Sequence, residues 1–142
     1  MSTSHRIKTV LVAGLSLAAL AFAGTSSGQS VKVTLSGGEE VPPVTTSAGG
    51  TGTIDIAADK SVSGSVTTKG LDGVAAHIHQ GASGKNGPVS VGLTKTGDGV
   101  WSVPAGAKLT DAQYSAFKAG ELYVNVHTAA NKGGEIRGQQ KP

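Results

Sequence analysis

Two histidines separated by one residue are the first feature of this sequence that could do chemistry. His77 and His79 lie within residues 74–81, where Ala76 and Ile78 are compatible with a strand. Successive side chains of a strand point to opposite faces, so His77 and His79 share one face and Ala76 and Ile78 share the other. Two imidazoles at positions i and i+2 can bind a single metal ion, so this segment is a candidate metal site.

A third histidine lies in a second strand-like segment. His127 follows Tyr123 and Asn125 at every second position, so by the same alternation these three side chains share a face. The chain has four histidines, and His5 lies in an N-terminal segment that we expect to be removed. The hypothesis is that the two segments form neighbouring strands and that the three remaining histidines meet.

The composition narrows the kind of ion that such a site would bind. Three neutral imidazoles suit copper, zinc or nickel better than calcium or magnesium. Three protein ligands also leave a coordination position for a solvent or substrate molecule. The chain has no cysteine, and its only methionine is Met1, which excludes a blue-copper site with a sulfur ligand. The alternative is that the histidines are ordinary polar strand residues facing water.

Three further polar residues could support the site, and a pair of glutamates could form a separate one. Asn125 and Glu135 are candidates to accept the second N–H of a ligating imidazole. The guanidinium of Arg137 could attract an anion towards the metal. The pair Glu39 and Glu40 could bind a cation, but two solvated loop charges are the favoured interpretation. Each of the first three also has an ordinary interpretation as a surface polar residue.

The elements that would position these residues are mostly short strands. Alternating apolar and polar residues predict roughly eight strands, one of them over residues 89–94. A single short helix is predicted over residues 109–119, because Thr110 and Gln113 form a capping box and Gly120 can end the helix. We therefore predict an all-β fold, an antiparallel Greek-key-like β-sandwich or barrel with one helix.

The N-terminus has the pattern of a secretory leader. Arg6 and Lys8 precede an uncharged apolar run over residues 10–22, and a small-x-small pattern places the cleavage after Ala23. The run is too short for a membrane-spanning helix. Residues 1–23 are therefore predicted to be a signal peptide, and we expect a periplasmic or secreted protein with no membrane contact after cleavage.

The remaining chain has the size of one domain. Residues 24–30 are small and polar and are expected to form a flexible tail, which leaves residues 31–142 as a single β-domain. The whole chain has 12 basic and 9 acidic side chains, and removal of Arg6 and Lys8 leaves a net charge of about +1. This balance argues against nucleic acid as a partner.

Five short motifs follow one another along the chain and point to a family. They are LSGGEEVPPV (residues 35–44), AHIHQG (76–81), NGPV (86–89), GELYVNVHT (120–128) and GGEIRGQ (133–139). Their order resembles that of the chordin-type (CHRD) domain of bacterial secreted proteins. The resemblance covers nearly the whole chain after the leader, but it implies little about activity.

A second resemblance concerns the histidine segments alone. Residues 70–79, with Gly-Leu followed by His-Ile-His, are similar to the strand that supplies copper ligands in Cu,Zn superoxide dismutases. Residues 124–127 are similar to a later strand of those enzymes, which carries a further copper histidine and is followed by an arginine. The resemblance implies that His77, His79 and His127 are copper ligands and that Arg137, at a shorter spacing, guides superoxide. The bridging histidine, the zinc loop and the disulfide are absent, so it implies a mononuclear copper site without a zinc site.

Three functions remain open at this point. The first is a copper-only enzyme with superoxide dismutase-like activity, acting on a small anionic substrate such as superoxide. The second is a protein that stores or delivers copper without turnover. The third is an extracellular interaction module in which the histidines are incidental. The sequence also leaves open a homodimer in which a second subunit donates a ligand.

Overall fold

The computed structural model of the protein describes residues 28–142. The predicted signal peptide, residues 1–23, and most of the predicted tail lie outside the described residues. No helix within residues 28–142 is long and apolar enough to cross a membrane.

Nine antiparallel strands and one α-helix make up the described part of the chain. In chain order they are β1 (Gln29–Ser36), β2 (Gly49–Ile56), β3 (Val62–Lys69), β4 (Gly73–Gln80), β5 (Val89–Gly92), β6 (Thr94–Gly97), β7 (Val100–Ser102), α1 (Asp111–Lys118), β8 (Leu122–Thr128) and β9 (Ile136–Gln140). A single 3-10 turn, Gly37–Glu39, follows β1. The strands form one sheet in the order β5-β4-β8-β9-β1-β2-β3-β7-β6.

The sheet curls until its two ends nearly meet. β5 and β6 are the end strands of the sheet, yet only Leu93 separates them in the chain. The Leu93 N–H donates to the carbonyl oxygen of Ala76 on β4, at 2.9 Å. A flat sheet of nine strands could not bring its edges to one residue, so the structure is a nearly closed barrel. The predicted all-β sandwich or barrel is confirmed.

Two predicted element boundaries are wrong. The strand expected over residues 89–94 is divided between β5 and β6, because the chain leaves one edge of the sheet at Leu93 and joins the other. β1 begins at Gln29, inside the predicted tail, since Gln29 and Ser30 pair with Ile56 and Asp55 of β2. Ladder hydrogen bonds need no apolar side chain, so the strand extends beyond the apolar alternation that predicted it.

The barrel interior is filled by alternate apolar side chains. On β1, Val31, Val33 and Leu35 are buried, while Lys32 and Thr34 between them are exposed. The other strands and the helix add side chains of the same kind, among them Ile54, Val66, Ile78, Trp101, Phe117, Leu122, Val124, Val126 and Ile136. Burying each such side chain stabilises the fold by about 1.5–3 kcal/mol. The described part of the chain has no disulfide, and it is this core that stabilises it.

The helix begins and ends as the sequence predicts. The Thr110 hydroxyl accepts from the Gln113 N–H, and the Gln113 side chain accepts from the Thr110 N–H, which completes the capping box. The helix ends before Gly120, whose φ of +75° favours glycine. Phe117 of the helix is buried in the core, so α1 covers one part of the barrel.

On β4, β8 and β9, the faces that point away from the barrel core carry the polar residues predicted to form the site. The register pairs His77 with Asn125 and His79 with Tyr123, and Asn125 in turn pairs with Arg137. Because directly paired residues lie on the same face of a sheet, these side chains form one polar layer outside the barrel core. We call this layer the polar face.

Candidate metal centre

The three histidines meet on the polar face. His77 and His79 come from β4 and His127 from the neighbouring strand β8, where it pairs with Ala75. One ring nitrogen from each lies within 4.8 Å of the other two. The Nδ1 atom of His77 is 3.0 Å from Nε2 of His127. The predicted convergence of the two strands therefore occurs, and the three imidazoles share one small volume.

Backbone carbonyls fix the orientation of two of the rings. His79 Nδ1 donates to the carbonyl oxygen of Gly87 at 2.9 Å, and His127 Nδ1 donates to that of Lys132 at 2.8 Å. Since a carbonyl oxygen only accepts, Nδ1 carries the proton in both rings and Nε2 carries the lone pair. The Nε2 lone pair of His127 accepts from Nδ1 of His77, whereas that of His79 has no donor. A carbonyl that orients the ring from its far side is typical of metal-ligating histidines.

The protein environment favours the neutral form of two of the imidazoles, those of His77 and His79. Burial lowers the pKa of His77, and the neighbouring His127 and His79 lower it further. Burial also lowers the pKa of His79, although its hydrogen bond to Gly87 acts in the opposite direction. Near neutral pH these rings are therefore uncharged, which is the protonation state that binds a metal ion.

One ligand atom has no partner inside the protein. His79 is 9% exposed, and its buried Nε2 atom makes no hydrogen bond. A buried acceptor without a partner costs about 1–3 kcal/mol. A cation bound between the histidines would satisfy it, and the three nitrogens fit copper, nickel or zinc. His77 and His127 are half-buried, so the site is open to solvent on their side.

Asn125 lies beside the histidines, as predicted. Its Nδ2 group donates to the carbonyl oxygen of Gly133 at 3.4 Å. Its side chain is close enough to His79 to raise the pKa of that ring, while its Oδ1 atom is buried without a partner. Asn125 therefore contributes a second buried acceptor without a donor close to the His79 ring.

Glu135 supports the site indirectly, through the turn between β8 and β9. Its carboxylate accepts from Thr128, Asn131 and Thr46, each at 3.0 Å. These hydrogen bonds hold the turn between β8 and β9, and this turn presents the Lys132 carbonyl to His127. No hydrogen bond joins Glu135 to a histidine within residues 28–142. Its place is therefore behind the turn and not against a ligand ring.

Arg137 does not occupy the position that an anion guide would need. Its side chain is 1% exposed, and its terminal nitrogens donate to oxygen atoms of Ala82, Asn86 and Gln139. A guanidinium that draws anions from solvent must face the solvent. The position of Arg137 therefore does not support the guiding role that the resemblance implies.

Sequence reasoning missed a buried acid next to the site. Glu39 is exposed, but Glu40 is only 4% exposed, and its Oε1 atom has no hydrogen-bond partner. Burial raises the pKa of Glu40 to about 7, an effect that Arg137 and Asn125 partly offset. The interpretation of both glutamates as solvated charges is therefore wrong for Glu40. Two prolines close behind it, Pro42 and Pro43, interrupt any central strand, but nothing local in the sequence indicates that this segment turns inward.

The other residues missed are backbone groups and one aromatic ring. No side-chain pattern identifies the Gly87 and Lys132 carbonyls as partners of the histidines. Tyr123, by contrast, had a signal, because alternation placed it on the His127 face. Its ring lies parallel to that of His79, with centroids 4.9 Å apart.

Comparison with known proteins identifies the family of the chain. No curated protein and no solved structure matches it. The family model described as the CHRD domain matches residues 31–140, which is most of the sequence and nearly all of its described part. The predicted resemblance is confirmed, and the chain belongs to the CHRD domain family.

Proposed function

We propose that this protein binds one copper ion through His77, His79 and His127. The observation that carries the proposal is the convergence of three imidazoles, two of them oriented by backbone carbonyls. Among divalent first-row ions, copper binds most tightly to a site of nitrogen ligands. Copper is therefore the metal that this donor set favours over zinc and nickel.

The proposed activity is superoxide dismutation. A bound copper ion would supply one-electron redox chemistry by alternating between Cu(II) and Cu(I). The chain itself provides the rest: His79 is held at the buried side, and the half-buried His77 and His127 leave a solvent-facing side for a small anion. The leader predicted over residues 1–23 supports a periplasmic or secreted location.

The second candidate function is copper storage or delivery without turnover. The burial of Arg137 favours it, because this arginine cannot draw an anion to the site. The same three histidines would hold the ion in both cases. Activity therefore separates the two candidates, whereas affinity does not.

The first prediction concerns activity. The copper-loaded protein is expected to dismutate superoxide in the presence of a chelator that binds free copper and keeps it from reacting. His127→Ala is expected to lose at least about 99% of that activity, because it removes a ligand that the Lys132 carbonyl orients. Rapid-mixing decay of superoxide measures both proteins. Equal activity in His127→Ala would contradict a histidine-bound catalytic copper. Stoichiometric copper with no activity in the wild type would select storage or delivery.

A further inference from the structure

A loop folds back over the polar face beside His79. It comprises residues 81–88, which join β4 to β5, and we call it the cover loop. Its Gly87 N–H donates to the Tyr123 hydroxyl at 3.1 Å, and its Gly81 carbonyl accepts from Gln139 at 2.8 Å. A Cβ atom on Gly87 would overlap the Gln80 carbonyl oxygen, so only glycine allows this close approach. The cover loop supplies the carbonyl that orients His79.

Arg137 lies beneath the cover loop and holds it at two points. Its Nη2 donates to the Ala82 carbonyl oxygen at 3.0 Å, and its Nη1 donates to Asn86 Oδ1 at 3.3 Å. Nη2 also lies 3.3 Å from Gln139 Oε1. These oxygens replace water around a charge that is 1% exposed. Two contacts from one planar fork fix the loop in direction as well as in distance.

Arg137 also reaches His79 through an aromatic ring. Its guanidinium carbon lies 3.4 Å from the centroid of the Tyr123 ring. The Tyr123 ring is in turn parallel to that of His79, with an interplanar angle of 2°. Because β8 lies between β4 and β9, Tyr123 stands between the two side chains. A guanidinium over an aromatic face is attracted by the ring quadrupole, which fixes the tilt of the ring.

We propose that Arg137 is a positioning residue, which holds the His79 imidazole through both the cover loop and Tyr123 so that Nε2 faces the other two histidines. This proposal adds a positioning residue to the proposed copper site, and its functional meaning rests on that site. The orientation of His79 is nevertheless a property of the metal-free protein. It can therefore be tested even if copper does not bind.

The experiment compares Arg137→Met with Lys69→Met. Both variants lose one positive charge, but Lys69 is an exposed residue of β3, whose neighbours in the sheet are β2 and β7 and not the strands that carry the site. The first readout is nitrogen-15 NMR of the His79 ring in the metal-free protein. The second is the copper dissociation constant with the electron paramagnetic resonance spectrum of Cu(II). Arg137→Lys keeps the charge but loses the planar fork, and Asn86→Ala removes a single loop contact.

In the wild type and in Lys69→Met, the His79 proton is expected on Nδ1. In Arg137→Met the ring is expected to populate both tautomers, copper binding to weaken about 10-fold to 100-fold, and the Cu(II) spectrum to change. Arg137→Lys and Asn86→Ala are expected to show smaller shifts in the same direction. Should Arg137→Met fail to fold, these two variants carry the test.

Two results would overturn the proposal. One is an unchanged His79 tautomer and copper affinity in all Arg137 variants. The other is a loss of dismutase activity alone, with its salt dependence abolished, because that is the signature of an anion guide. If the wild type binds no copper while the Arg137 variants still shift the His79 tautomer, the copper proposal fails and the positioning role stands.

Discussion

Copper(II) is expected to raise the free energy of unfolding of this protein by about 2.7 kcal/mol when the free ion is present at about one hundred times its dissociation constant. The reason is that the three ligand nitrogens meet only in the folded state, where strands β4 and β8 bring them within 4.8 Å of one another. Urea unfolding with and without copper measures the shift. Zinc at the same concentration is expected to stabilise less, because it binds nitrogen ligands more weakly than copper does.

The matched control for this prediction is His127→Ala. His127 is half-buried and belongs to no part of the apolar core, so its removal is expected to cost the metal-free protein little stability. The copper-induced shift should disappear in this variant. A shift of the same size in His127→Ala, or no shift in the wild type, would mean that copper is not bound by the three histidines.

Glu40→Gln is expected to remove most of a pH dependence of about 3 kcal/mol from the stability of the metal-free protein. Burial raises the pKa of Glu40 to about 7 from its usual 4.5, so the folded protein binds this proton more tightly than the unfolded chain does. The contribution of Glu40 to stability is therefore fully present below about pH 4.5 and is lost as the pH rises to about 7. Glutamine resembles the protonated carboxyl group and does not ionise.

Urea unfolding at pH 5 and pH 8 tests this prediction. The stability of Glu40→Gln relative to the wild type should increase between the two values, and the variant should be the more stable protein at pH 8. Glu39→Gln removes the same charge from an exposed neighbouring residue and should show no such increase. An identical pH profile for the wild type and Glu40→Gln would show that Glu40 is ionised in the folded protein without cost.

Much of the fold follows from local patterns in the sequence. Alternation along residues such as Val31, Val33 and Leu35 predicts strands, and the capping box at Thr110 predicts the start of the helix. The division of residues 89–94 between two strands could not be predicted in this way. The chain passes from one edge of the sheet to the other at Leu93 because the barrel closes there, and closure is a property of the whole sheet.

The same distinction applies to the candidate site, where some features follow from strand periodicity and others depend on loops. The shared face of His77 and His79 follows from the two-residue period of a strand, and so does the position of Asn125 beside His127. The burial of Arg137 and Glu40 does not follow, because it depends on loops that fold back over the polar face. Sequence spacing identifies which residues can meet, whereas the loops decide which of them face solvent.

Copper titration of the metal-stripped protein, followed by electron paramagnetic resonance, tests the central claim most directly. The account predicts one Cu(II) per chain with nitrogen hyperfine couplings, and loss of this signal in each of His77→Ala, His79→Ala and His127→Ala. Absence of stoichiometric binding in the wild type, or an unchanged signal in the three variants, would contradict it.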